Sequence, residues 1–122
     1  MNHKKKTIAL ALVAAVLGWS GAAVAEDAPP KGNAQTGKAL FEKDGCYQCH
    51  GYIGQGAGAT GPKLAPEPLP YDAFIRQLRT PAQEMPPYEV AIVSDQQAAD
   101  IYAYLTSIKK GPDPKSIPLL NN

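Results

Sequence analysis

Between residues 94 and 108 the apolar positions Ala98, Ile101, Leu105 and Ile108 recur at intervals of three or four, the period of one face of an α-helix. Ser94 and Gln97 precede that run as a capping box, and Lys109, Lys110 and Gly111 follow it with the cations and the glycine that end a helix well. A shorter helix is predicted from about Ala34 to Lys43, with Asn33 as N-cap and Gly45 just beyond its end. Its inward face carries Gly37, Leu40 and Phe41. Another, from about Tyr71 to Arg79, follows the proline-rich stretch 66–70 and stops at Pro81, burying Phe74, Ile75 and Leu78. Past Gly111 the prolines Pro112, Pro114 and Pro118 exclude a helix, so residues 111–122 read as a proline-rich tail. That tail is either draped on the surface or an arm that rests Ile117, Leu119 and Leu120 on a larger catalytic subunit. The expectation is an all-α domain over residues 26–110.

Residues 1–25 follow a different pattern. Lys4, Lys5 and Lys6 form a positive stretch, Ile8 to Leu17 an apolar one, and Ala23-Val24-Ala25 a small-residue cleavage site before Glu26 and Asp27. That order reads as a signal peptide removed after Ala25. The alternative is an uncleaved anchor, because Thr7 to Ala25 holds no charge and nears the length of a membrane span; membrane attachment is expected only in that case.

Removing 25 of the 122 residues leaves about 97, one small domain with limited capacity for a core of its own. The whole chain has 12 Lys and Arg and 11 Asp and Glu; three of the cations are Lys4 to Lys6, which leaves nine against eleven. A mature chain that is slightly acidic does not suit a nucleic-acid partner.

The candidate chemistry sits at Cys46-Tyr47-Gln48-Cys49-His50. Two thiols separated by two residues can bond the two vinyl groups on one porphyrin edge, and the histidine that follows is then placed at the iron, so the run reads as the attachment site of one covalent haem c through Cys46 and Cys49. After residue 25 His50 is the only histidine and Met85 the only methionine, which makes them the candidate axial ligands. A structural zinc site needs four ligands of Cys or His type and the mature chain offers three. A thioredoxin-like pair needs a βαβ context and would leave His50 and Met85 unexplained. A disulfide closing so short a loop would add little stability.

Met85 precedes Pro86 and Pro87, a rigid, donor-poor backbone suited to holding a sulfur at a metal; filling of the core by a flexible thioether is the competing role. Arg79, and less so Arg76, could pair with a haem propionate by charge-assisted hydrogen bonds, although solvated helix faces carry arginine as readily. Residues 51–61 include five glycines. A phosphate-cradling loop would need Lys and Ser or Thr after the last glycine, where Pro62 stands. Close backbone approach to the haem edge is the better reason for them.

With these residues in place the chain resembles the class I c-type cytochromes, in particular small single-haem periplasmic proteins and the cytochrome subunits of periplasmic dehydrogenases. The resemblance runs over residues 33–108 through Gly37 and Phe41, Cys46 to His50, Gly61-Pro62-Lys63-Leu64, Met85-Pro86-Pro87-Tyr88, and Ile101 with Tyr104-Leu105. It implies a cytochrome c fold, short helices wrapped around one haem, in which Gly37 and Phe41 cross Ile101 and Tyr104. It also implies that the Pro62 carbonyl receives the ring N–H of His50 and that Leu64 lies against the haem. The connection from His50 to Met85, 35 positions, is short for the family.

Ligation by His50 and Met85 would fill both axial sites and leave none for substrate, so the expected role is one-electron transfer without bond chemistry. The expected donor is a periplasmic dehydrogenase and the expected acceptor an oxidase or another cytochrome. A fixed cytochrome subunit of a dehydrogenase complex is the alternative to a diffusing carrier. A peroxidase-like or gas-binding haem would require Met85 to lie off the iron.

Overall fold

Asn33 caps the first described helix by turning its side-chain oxygen onto the N–H groups of Gln35 and Thr36, each at 2.9 Å, which satisfies two of the donors a helix start leaves unpaired. The computed structural model describes residues 29–120; the expected leader at 1–25 lies outside them. Four α-helices follow one another: α1 at Ala34–Lys43, α2 at Cys46–His50, α3 at Tyr71–Arg79 and α4 at Asp95–Ser107. Two 3₁₀ turns, Pro114–Ser116 and Pro118–Leu120, follow α4 among the described residues. There is no strand among the described residues, so the all-α expectation holds.

The fold is organised by the crossing of α1 on α4. Gly37 faces the Asp100 carbonyl so closely that a Cβ there would overlap it. That contact lets two backbones approach as only a residue without a side chain permits. Beside it the Phe41 and Tyr104 rings pack with centroids 5.7 Å apart, tilted by 58°. Buried Asp100 accepts the Asn33 backbone N–H at 2.8 Å and the Gln96 amide at 3.1 Å, so the cap of α1 is tied to the middle of α4. The implied meeting of Gly37 and Phe41 with Ile101 and Tyr104 is what the chain builds. Leu40, Phe41, Leu78, Val93, Ala98, Ile101, Tyr104 and Leu105 make the core.

At the other end α4 stops at Ser107, short of the Lys109-Lys110-Gly111 stop that the sequence suggests. Hydroxyls intervene: Thr106 bonds the Tyr102 and Ala103 carbonyls at 3.1 and 3.0 Å, and Ser107 bonds that of Tyr104 at 2.6 Å. The Ser107 hydroxyl takes the Tyr104 carbonyl, the acceptor Ile108 would use to continue the helix, and Ile108 instead bonds the Leu105 carbonyl and leaves in an extended conformation to pack on the core. The tail, expected to be helix-free, forms two 3₁₀ turns, the first capped by Asp113, whose carboxylate accepts the Lys115 N–H at 2.9 Å. Proline suits the first position of such a turn because it has no N–H to leave unpaired.

Candidate functional site

Gly45, at a φ of 78°, turns the chain out of α1 in a left-handed conformation, and the next five residues, Cys46–His50, wind into the single turn α2. Sequence reading stops α1 at Gly45 and does not foresee this helix, because five residues are too few to show a period. The turn is ended by Gly51, also at positive φ, whose N–H bonds the Tyr47 carbonyl at 2.8 Å. Both thiols are free. Cys49 is exposed, whereas Cys46 is half-buried against the core. Burial, reinforced by the Asp44 carboxylate, pushes the Cys46 thiol up to about 11, against a hydrogen bond with Tyr88 that pulls the other way. The Tyr88 phenol is pushed up to about 12, chiefly by its own burial and then by Cys46. Both groups therefore stay protonated through the neutral range.

His50 is buried, and its Nδ1 lies 2.8 Å from the Pro62 carbonyl oxygen. A carbonyl can only accept, so the shared proton is on Nδ1 and the lone pair on Nε2. Nε2 is thereby made the metal-binding nitrogen, and the bond behind it makes the imidazole a stronger donor. This is the arrangement that the resemblance implies for Pro62. The approach is possible because Gly61 lies against the Cys49 carbonyl and the His50 ring, where a Cβ would overlap the carbonyl. Thr60 adds a hydroxyl bond to the Ala57 carbonyl at 2.9 Å. The glycine-rich loop folds back on itself, Leu64 and Ala65 both donating to the Gly54 carbonyl at 2.7 and 2.9 Å. The loop therefore serves to bring Pro62 beneath the histidine.

Leu64 and Met85 are half-buried and pack on the same core, together with Cys46, Tyr47, Phe74, Ile75 and Tyr88. Their partly exposed apolar surface is suited to a flat apolar group. The Met85 sulfur faces the Gln77 side-chain amide, Nε2 to Sδ 3.8 Å. Gln77 carries no signal in the sequence, since an amide on an amphipathic helix usually meets water.

Arg79, a candidate partner of a propionate, already has partners within the protein. Its Nη1 donates to the Tyr88 and Val93 carbonyls at 2.6 and 2.7 Å, and its Nη2 to Asp95 at 2.7 Å. Two carbonyls and a carboxylate engage three of the five N–H donors of the planar fork, which turn toward the loop after α3 and the start of α4.

These residues fit a covalent haem c. Two unpaired thiols and an oriented histidine lie on one turn, with a soft sulfur donor on the same core. Among the described residues no three His, Cys, Asp or Glu side chains gather to hold a metal ion by themselves, so a zinc cluster has no second half here.

Comparison with known proteins agrees with this geometry. The family described as cytochrome c oxidase, cbb3-type, subunit III, matches residues 32–105. Cytochrome c-555 of Methylococcus capsulatus (strain Bath) is 29% identical over 115 residues, which cover 93% of this chain and 94% of that protein.

Proposed function

The chain belongs to the cytochrome c family, as a small c-type cytochrome with covalent haem c that acts as an electron carrier, and from that premise we propose that it works in the periplasm, passing single electrons from a dehydrogenase to a respiratory acceptor. The observation that carries the reading is the 2.8 Å bond between His50 Nδ1 and the Pro62 carbonyl, which orients a histidine adjoining two free thiols. Haem c, once attached, supplies a one-electron iron couple. The chain's own part is to hold, orient and shield it. Cys46 and Cys49 would anchor it, His50 Nε2 and Met85 Sδ would bind its iron, and Leu64 would cover it with apolar surface. An iron held by both side chains would have no place left for a substrate, which favours electron transfer over substrate chemistry.

Docking is brief in this reading. Cys49, Tyr52 and Ile53 are exposed next to one another in the chain, so an apolar approach lies beside the attachment motif. Electron transfer needs proximity rather than a large interface, below about 1,200 Å² for such encounters. Without residues 1–25 the chain has nine Lys and Arg against eleven Asp and Glu, a slightly acidic balance that leaves steering to the partner's cations.

A fixed subunit of a larger oxidoreductase is the second reading, supported by the subunit named in the family's description and by the exposed Leu119 and Leu120 of the tail. The match to cytochrome c-555 over almost its whole length supports the diffusing carrier. Native mass spectrometry of the haem-loaded protein, isolated gently from its host's periplasm, separates them. A lone chain of mature mass plus one haem is expected; a co-isolated stoichiometric dehydrogenase or oxidase would replace the shuttle with the subunit.

A further inference from the structure

The last turn of α3 grips the segment that carries Met85 through three successive residues. Gln77 points its amide at the Met85 sulfur, the Leu78 carbonyl accepts the Tyr88 N–H at 2.9 Å, and Arg79 binds the Tyr88 and Val93 carbonyls. Residues 80–94 leave α3 at Thr80 and enter α4 at Asp95, and in between they contain Pro81, Pro86 and Pro87, which donate no hydrogen bond. Such a loop cannot hold itself by a ladder of its own. The guanidinium ties it at two places, five residues apart, and adds a link to the first residue of α4.

The strength of the three bonds is unequal. Arg79 is 17% exposed and Asp95 72%, so the ion pair sits largely in water and contributes little. The two carbonyl bonds are charge-assisted and shielded, which makes them the stronger part. Val93 itself is fully buried. A donor that joins Tyr88 to Val93 therefore fixes the loop to the core on the side that follows the methionine.

We propose that Arg79 is the positioning residue for the axial methionine: by clamping the Tyr88 and Val93 carbonyls it keeps the loop closed and Met85 on the iron, and so keeps outside ligands off. This rests on the reading of Met85 as a ligand. Opening exchanges one bond for another, the sulfur–iron bond for a nitrogen–iron bond when imidazole enters, with no change in iron oxidation state. Imidazole can enter only after the sulfur has left, so at saturating imidazole the observed rate is the opening rate of the loop.

The test uses the haem-loaded ferric protein and three variants: Arg79→Gln, which removes the clamp; Asp95→Asn, which removes only the exposed ion pair; and Phe41→Leu, which weakens the α1–α4 crossing. Two quantities are read, the saturating imidazole rate and the hydrogen exchange of the Tyr88 amide, with the far-red band of methionine-ligated ferric haem as the ligation marker. Arg79→Gln is expected to raise both by about tenfold or more, the equivalent of losing roughly 1.4 kcal/mol of closure. Asp95→Asn and Phe41→Leu should remain near wild type in both, whatever Phe41→Leu does to global stability. A wild-type imidazole rate in Arg79→Gln, or an equal rise in Phe41→Leu, overturns the proposal. Should Arg79→Gln fail to load haem, Arg79→Lys, which keeps the charge without the planar fork, is judged by the same criteria. A wild-type protein that lacks the far-red band would instead overturn Met85 as ligand, which separates that failure from the failure of the clamp.

Discussion

Gln77 and Met85 meet through one weak contact, an amide N–H aimed at sulfur across 3.8 Å. With Met85 as the proposed ligand, a donor there would draw electron density from the thioether, so the sulfur would support ferric iron less well and the ferrous state would gain. Replacing Gln77 by Leu should therefore lower the reduction potential by tens of millivolts, about 59 mV being a tenfold change in a one-electron equilibrium. Spectroelectrochemical titration reads it directly; an unchanged or raised potential would remove the amide from the account. Tyr104 offers a test in a different variable. Its hydroxyl donates to the Tyr52 carbonyl at 2.9 Å, and burial first, then the nearby Glu42, raises its phenol above the ordinary 10.0. The unfolded chain ionises at the ordinary value while the folded one resists, so this contribution is whole below pH 10 and is lost as pH rises from there through the folded value. Denaturant unfolding followed by far-UV circular dichroism at about pH 8 and about pH 11 should show a smaller alkaline loss in Tyr104→Phe than in wild type. Equal losses would mean that another tyrosine carries the effect.

Helix ends and helix crossings place different demands on the sequence. Ser94 accepts the Gln97 N–H at 3.3 Å while the Gln97 side chain accepts the Ser94 N–H at 2.8 Å, a reciprocal cap that stabilises the start of α4 locally. Ser94→Ala should cost about 1 kcal/mol. Gly37→Ala should cost more, about 3 kcal/mol, because its Cβ would meet the Asp100 carbonyl, which is backbone and cannot swing aside. Urea unfolding of the two haem-loaded variants gives the order, and an alanine at 37 as stable as one at 94 would show that α1 and α4 can slide apart without loss. α2 follows another rule. A single turn has too few internal hydrogen bonds to stand alone, and it is held by Gly45 and Gly51 at its ends and by the His50 ring bonded to Pro62.

For the molecule as a whole, a small chain has gathered its core around one crossing and left several half-buried apolar side chains on it. The haem completes that core, binding free energy being part of folding free energy in such a protein. The tail contributes little to it: Leu119 and Leu120 are 84% and 64% exposed. Deleting residues 111–122 should leave the visible spectrum unchanged. If the arm docks on a catalytic subunit, the same deletion weakens binding to that partner, measured by surface plasmon resonance once the partner is known; equal affinity with and without the tail would dispose of the docking role.

The chemistry of this protein was legible in local sequence because local spacing sets it. Cys46, Cys49 and His50 are bound to one turn by their separation, the periodic apolar positions of α4 announce their own face, and Asn33 and Ser94 cap helices through neighbours two or three residues away. Only the family resemblance points to the crossing of Gly37 on α4 and to the bond from His50 to the Pro62 carbonyl. Tertiary structure alone decided where the long side chains end. Arg79 binds the carbonyls of Tyr88 and Val93, which no local pattern announces, Gln77 gives no sign of a sulfur partner, and the Ser107 hydroxyl on the Tyr104 carbonyl accompanies the end of α4 before its basic residues. The physical reason is one of range. A backbone period or a cap is fixed by atoms a few bonds apart, whereas a flexible side chain takes whichever acceptors the folded chain brings within hydrogen-bonding distance, from residues as far along as Val93 and Asp95.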